Sequence, residues 1–279
     1  MSVLAPDYSN MFAADGTVLR HPDRPEAKYR PLRAVRHFQA LIKDKEDTSL
    51  VFKIFESLPS ASFMNRARDL CLSERGEFLR ATEHALPEIL DDHAALRRTP
   101  KGSLAHAYCD FMEAEGLTAA GLVAEYERAG RPAYPDLLEW FINRSRDTHD
   151  LFHVLTGYGR DALGEQCVLL FTHGQAPSQG HLLIGYAGAA NIMKMVKGSK
   201  APVLGAVREA HRTGKGAPQL MAQPIRQLLE QPLEEVRAKL RIPQPIRYVE
   251  CHRIWREEGI DPYDLLAAPP AAERELLAA

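Results

Sequence analysis

The sequence lacks paired cysteines. Its four cysteines, Cys71, Cys109, Cys167 and Cys251, are far apart, and none belongs to a C-x-x-C pair. Neither a paired-thiolate zinc site nor a thioredoxin-like redox motif is therefore indicated. Scattered cysteines of this kind are typical of a protein from a reducing compartment, where most of them are small core or surface residues.

Long hydrophobic runs and an excess of charge of one sign are also absent. The formal net charge of the 279-residue chain is −2, so its electrostatics do not favour nucleic acid as a partner. The N-terminus has no basic leader followed by an apolar run, which argues against a signal or transit peptide. The most apolar stretch, residues 182–196, contains Asn191 and Lys194 and falls short of the roughly 20 apolar residues of a membrane span.

Alternating strand patterns are scarce, whereas helical patterns follow one another along most of the chain. Apolar residues recur at helical spacing, as in Val51, Phe55 and Leu58, and capping residues such as Ser103 precede several such segments. No hairpin dipeptide separates two alternating segments. We therefore predict a mainly α protein, a single helical domain with few or no strands.

Prolines mark the limits of this domain. They interrupt any periodicity over residues 1–30, which we predict to be an irregular N-terminal segment. The helical domain is predicted over residues 31–242. From Pro243 onward, prolines alternate with short amphipathic pieces, so residues 243–279 are predicted to be a C-terminal extension rather than a second domain.

Two histidines lie one helical turn apart in the segment that follows Pro135. We predict one helix over residues 135–155, with the proline as its first residue. On a helix, His149 and His153 lie about 40° apart, and Asp150 falls in the same sector of roughly 100°. Two imidazoles one turn apart can chelate a single metal ion.

Glu165 cannot reach these histidines along the same helix, because twelve further residues would carry it about 18 Å away. Gly157 and Gly159 indicate where the chain can turn back. Asp161 is a plausible cap for a second helix, with Glu165 in its first turn. The segment therefore predicts a helix–loop–helix metal site with two histidines, His149 and His153, and one or two carboxylates, from Glu165 and Asp150. This ligand set suits zinc, with iron or manganese as alternatives.

The segment is also compatible with functions that need no such site. In a solvated helix face without metal, Asp150 and Glu165 would pair with Arg146 or Arg160. The G-x-G-x-x-A match at residues 157–162 follows a helix pattern rather than a strand, so a dinucleotide site is not supported. Asp150-x-x-His153 resembles half of a di-iron site, but no second Glu-x-x-His is present. A general metal hydrolase is disfavoured because H-E-x-x-H and G-x-S-x-G are absent.

The segment HDLFHVLTGYGRDALGE, residues 149–165, resembles the signature of the coenzyme Q (ubiquinone) biosynthesis protein 4 family. Residues 31–58, 102–117 and 229–242 are also similar to that family, in consistent order. The chain departs from the pattern just before residue 229, where APQLMAQPIRQ lacks the expected tryptophan, and in its extension from Pro243. Both departures affect membrane or partner contacts more than the metal site.

The resemblance implies a mainly helical fold with zinc at His149, Asp150, His153 and Glu165. It also implies removal of the C1 carboxylate from a polyprenylated 4-hydroxybenzoate, with or without hydroxylation at C1, and hence a carbon–carbon lyase. Asp150 or Glu165, whichever is not tightly metal-bound, is the predicted catalytic proton carrier. The alternative is a non-catalytic scaffold or lipid-binding organiser of the ubiquinone biosynthetic complex, in which the metal is structural.

The expected partners are a polyprenylated benzoate or quinone lipid, the other ubiquinone biosynthesis enzymes and the membrane surface. We expect a cytoplasmic protein peripherally associated with the inner membrane. The small residues within 182–196 permit close helix packing or form one wall of an apolar groove for the lipid tail. The oligomeric state stays open, a homodimer included.

Overall fold

The protein is built from α-helices. The computed structural model describes residues 7–43, 48–60, 62–128 and 130–265. Short 3-10 helices cover Tyr8–Asn10 and Leu220–Ala222. The α-helices of the described residues, α1 to α16 in chain order, are Pro31–Lys43, Thr48–Ser57, Phe63–Cys71, Glu74–Thr82, Leu86–Asp91, His93–Leu96, Leu104–Glu115, Ala119–Arg128, Leu137–Asp147, His149–Thr156, Ala162–Gln175, Gln179–Met195, Val203–Gly216, Ile225–Leu229, Leu233–Lys239 and Ile246–Glu258.

The predicted mainly α class is confirmed. In the part of the chain that the structure describes, β pairing is limited to two isolated bridges, Phe12 with Val18 and Ser103 with Pro232. None of the helices described is long and apolar enough to cross a bilayer. Residues 1–6 and 266–279, which belong to the predicted N-terminal segment and C-terminal extension, lie outside the described residues.

The chain divides into two compact units. The first unit comprises Met1–Ala27, Ser60–Leu155 and Pro218–Arg241, and the second comprises Lys28–Pro59, Thr156–Ala217 and Ile242–Ala279. In the first unit, α3 and α9 pack around the buried side chains of Leu19, Ala67 and Phe141. Burial of a side chain the size of Phe141 stabilises a fold by about 1.5–3 kcal/mol. This core holds α9, which immediately precedes the helix of the two histidines.

A buried ion pair also fixes α9. The Arg144 Nη2 atom lies 2.8 Å from Glu83 Oε2, and both side chains are only 1–2% exposed. Arg144 Nε and Nη2 also donate to the carbonyl oxygens of Met221 and Gln223, at 2.6 and 2.8 Å. The second Glu83 oxygen accepts from the Arg226 backbone N–H at 2.8 Å. One charged pair therefore joins four segments of the first unit.

The second unit packs α11 against α12 and α13 at close range. A Cβ atom at Gly185 of α12 would overlap the Leu170 side chain of α11, and one at Gly214 of α13 would overlap the Phe171 carbonyl group. Of the two expectations for the small residues in 182–196, close helix packing is therefore the one seen at Gly185. The predicted C-terminal extension contains α16, whose side chains at Tyr248 and Trp255 are buried.

Candidate metal centre

The predicted helix over residues 135–155 is two helices in the structure, so that prediction is wrong. The first begins after Asp136, whose side chain caps it by accepting from the Glu139 N–H at 2.8 Å. It ends at Asp147, and the hydroxyl of the next residue, Thr148, donates to the Arg144 carbonyl oxygen at 2.9 Å. The second helix, α10, begins at the following residue, His149.

The two histidines lie on one face of α10, as predicted from their spacing. The ring centroids of His149 and His153 are 5.1 Å apart and the rings are nearly perpendicular, at 82°. His153 is 1% exposed, and its ring stacks on Phe111 of α7 with a centroid distance of 5.5 Å. Packing therefore restricts the orientation of one imidazole while the other stays half-buried.

Asp150 follows the first histidine and is half-buried. Burial, followed by the negative charge of Asp150, raises the pKa of the Tyr108 hydroxyl on α7 well above its usual value. The carboxylate of Asp150 therefore lies close enough to α7 to influence a buried phenol.

Glu165 occupies the first turn of α11, as predicted from its position after Asp161. An ionised carboxylate is favoured there by the helix dipole. Its Oε1 atom lies 3.7 Å from Arg160 Nε, and both side chains are partly exposed. Arg146 pairs instead with its neighbour Asp147, at 2.7 Å. One of the ion pairs expected for a metal-free surface is thus present, but its length and exposure make it weak.

Candidate metal ligands fall into two sets among the residues that the structure describes. One is the pair His149 and His153 on α10, and the other contains residues of α6 and α7. Both lie in the first unit, as does Asp150, whereas Glu165 belongs to the second unit. The assignment of Asp150 and Glu165 as ligands of one ion with the histidines stays a prediction. Two imidazoles and a carboxylate are a donor combination that zinc, iron and manganese accept.

Side chains from α16 support the start of α11, and the sequence patterns did not predict this. Asp161 is fully buried and caps α11 by accepting from the N–H groups of Leu163 and Gly164. Its second oxygen accepts from the Tyr248 hydroxyl and lies 3.3 Å from His252 Nε2. Burial by itself would raise the pKa of Asp161, but the bonds from His252 and Tyr248 hold it below its usual range.

Comparison with known protein families identifies the chain. Residues 61–246 match the family model described as coenzyme Q (ubiquinone) biosynthesis protein Coq4. The chain belongs to the Coq4 family. This Coq4-family protein is therefore a ubiquinone biosynthesis protein, as its sequence resemblance predicted.

Known relatives agree with this assignment. The mitochondrial ubiquinone biosynthesis protein coq4 of the fungus Penicillium rubens is 25% identical over 75% of this chain and 71% of its own length. A crystal structure described as that of a ubiquinone biosynthesis protein from the cyanobacterium Nostoc punctiforme superposes with a TM-score of 0.56. It is 19% identical and covers 77% of this Coq4-family chain and 100% of its own, which shows a shared fold.

Replacing Asp161 of the Coq4-family protein by alanine should lower its free energy of unfolding by about 2–3 kcal/mol, because a helix cap is lost and the buried Tyr248 hydroxyl loses its acceptor. Since folding lowers the pKa of this carboxyl, its contribution is complete above the unfolded value of about 3.9. It is lost as the pH falls through the folded value. Urea unfolding at pH 7 and in acid measures both effects.

Ser178→Ala is the matched control, because Ser178 precedes α12 but makes no side-chain cap bond. It should leave stability unchanged. An equal loss in the two variants at pH 7 would contradict the capping role of Asp161.

Proposed function

We propose that this protein removes the C1 carboxylate of a polyprenylated 4-hydroxybenzoate in a metal-dependent reaction of ubiquinone biosynthesis. One observation carries the proposal: the imidazoles of His149 and His153 lie 5.1 Å apart on one face of α10, in a chain of the Coq4 family. The donor set fits a zinc-type ion, with iron or manganese as alternatives, and Glu165 is the third ligand. When bound, such an ion would neutralise the substrate carboxylate and hold it in place.

The protein's own contribution to the chemistry is a proton at C1. The para hydroxyl of the substrate increases electron density at that carbon. A proton delivered there makes C1 tetrahedral; the bond from C1 to the carboxylate then breaks, its electron pair returns to the ring, and carbon dioxide leaves. With Glu165 as a ligand, Asp150 is the proton carrier that we propose, because it lies beside His149 and is half-buried rather than sealed from solvent.

The setting of the reaction is part of the proposal. A polyprenylated substrate resides in a membrane, so we propose that the protein works at the inner-membrane surface beside the other ubiquinone biosynthesis enzymes. The name of the fungal relative places that protein in mitochondria and in the same biosynthesis. The competing role is that of a non-catalytic scaffold with a structural metal. Measuring the release of carbon dioxide distinguishes the two roles, because only the enzyme would produce it.

The purified protein, loaded separately with zinc, iron or manganese, should release labelled carbon dioxide from a carboxyl-labelled 4-hydroxybenzoate with a short prenyl chain. Asp150→Asn should bind metal normally but lose most of this activity, because general acid–base groups typically contribute about 10²–10⁴-fold to rates. Asp69→Asn, at an exposed carboxylate on α3, is the control and should be fully active.

Running the assay with and without oxygen distinguishes replacement of the carboxylate by a proton from replacement by a hydroxyl group. A benzoate-derived product lacking oxygen at C1 supports the proton route. No carbon dioxide from any metal form, in either atmosphere, would leave only the scaffold role.

A further inference from the structure

A second set of ligand-type side chains lies in the first unit, on α6 and α7. His93 is the first residue of α6, and Cys109 and Glu113 are one turn apart on α7. One ligand atom from each lies within 4.8 Å of the others. None of the three belongs to the histidine-containing segment of α10, and the proposed reaction does not use them.

The histidine and the cysteine are held by their surroundings. The Asp92 side chain caps α6 by accepting from the Ala95 N–H at 2.9 Å, which fixes the turn that carries His93. The His93 ring meets Tyr108 edge-on at a centroid distance of 6.3 Å. Its Nδ1 atom lies 3.0 Å from Glu113 Oε1. Cys109, one turn before Glu113, is fully buried, whereas the Glu113 carboxylate is accessible to solvent.

Arg97 orients the carboxylate in this cluster. Its two Nη atoms lie 2.6 Å from Asp110 Oδ1 and 2.7 Å from Glu113 Oε2. One oxygen of Glu113 is thus occupied by the guanidinium, while the other faces His93. The positive charge of Arg97 opposes a bound cation, and the carboxylates of Asp110 and Glu113 offset it. A simple surface ion-pair network would explain the arginine and the carboxylates, but it requires no buried thiol next to the imidazole.

We propose that His93, Cys109 and Glu113 form a second metal site, which binds a divalent ion of the zinc type. Thiolate, imidazole and carboxylate are the three ligand classes found around zinc, and the thiolate excludes hard ions such as magnesium. The Glu113 side chain is 53% exposed, so water could reach an ion held by these residues. This site is independent of the proposed decarboxylation.

Binding at this site must release the thiol proton. The metal affinity should therefore rise with pH.

Cobalt(II) titration of the chelator-treated full-length protein tests the proposal, because a cobalt–thiolate bond gives an intense near-ultraviolet charge-transfer band. The ligands proposed for the other site are imidazoles and a carboxylate, which give no such band. The wild type should show the band and lose it when zinc is added. Cys109→Ser should abolish it, whereas Cys71→Ser should retain it, since Cys71 is equally buried but only donates to the Leu137 carbonyl.

Glu113→Gln provides a second test at an exposed position, in case the buried serine disturbs folding. Loss of a residue that only supports a metal ligand costs roughly 10- to 100-fold in metal affinity. Loss of a ligand itself, as in Glu113→Gln, should weaken cobalt binding by at least this much. A wild type without the band, or a band that survives Cys109→Ser, would overturn the proposal. If cobalt binds without giving a thiolate band, the second site is overturned while the proposed metal site on α10 is not. The two proposals can therefore fail independently.

Discussion

Glu165→Gln is expected to lower zinc affinity by at least about 100-fold, to remove decarboxylation and to leave the fold intact. The amide keeps the shape of the side chain but loses the negative charge, and losing even an outer-shell partner costs roughly 10- to 100-fold in affinity. The fold should tolerate this change because the Glu165 side chain is partly exposed and its pairing with Arg160 is weak. Elemental analysis after dialysis and competition with a chromophoric chelator measure the affinity.

The effects of Glu165→Gln should be compared with those of Asp150→Asn. The sequence predicted Asp150 and Glu165 both as metal ligands and as candidate proton carriers. If Asp150 carries the proton, its variant keeps the metal and loses carbon dioxide release, whereas Glu165→Gln loses both. Equal metal affinity in Glu165→Gln and wild type would contradict the assignment of Glu165 as a ligand. A large fall in the melting temperature of Glu165→Gln would instead identify the metal as a structural clamp.

Removing the buried partner of Arg144 should produce the largest loss of stability. Glu83→Leu leaves a guanidinium that is 2% exposed without its carboxylate, and breaking such a buried pair typically costs about 3–5 kcal/mol. For a protein of this size that corresponds to a melting temperature lower by roughly 6–20 °C. Thermal unfolding followed by circular dichroism measures the change.

A double variant and a surface variant sharpen this test. Glu83→Leu combined with Arg144→Met should recover much of the loss, since replacing both charges by apolar side chains avoids the uncompensated charge. Arg253→Met removes an ion pair of which both side chains are mostly exposed, and should leave the melting temperature unchanged. If the single buried variant were no less stable than the surface variant, the pair would have no structural role.

The sequence was most informative where the physical cause is local. The spacing of His149 and His153 predicted a shared helix face, and Asp161 was correctly predicted as the cap that precedes Glu165. Gly157 was predicted as a turn residue, and it adopts a left-handed φ of 75° directly after α10. Each of these inferences depends only on residues within one or two turns of one another.

The predictions were less accurate where neighbours compete or where the partner is distant in sequence. A helix pattern continues through Thr148, so periodicity alone does not show where α9 ends and α10 begins. Tyr248 reaches Asp161 from 87 residues away, so no short motif could connect them.

The close approach at the start of α11 has a consequence for tracing this function through distant relatives. A Cβ atom at Gly164 would overlap the Gly159 carbonyl oxygen, so only glycine lets the first turn of α11 lie against the preceding loop. A relative that keeps both histidines and the glutamate but carries a larger residue before the glutamate must hold that turn differently. We therefore expect that a relative needs a glycine at the position of Gly164, as well as the ligand residues, to bind the metal in the same way.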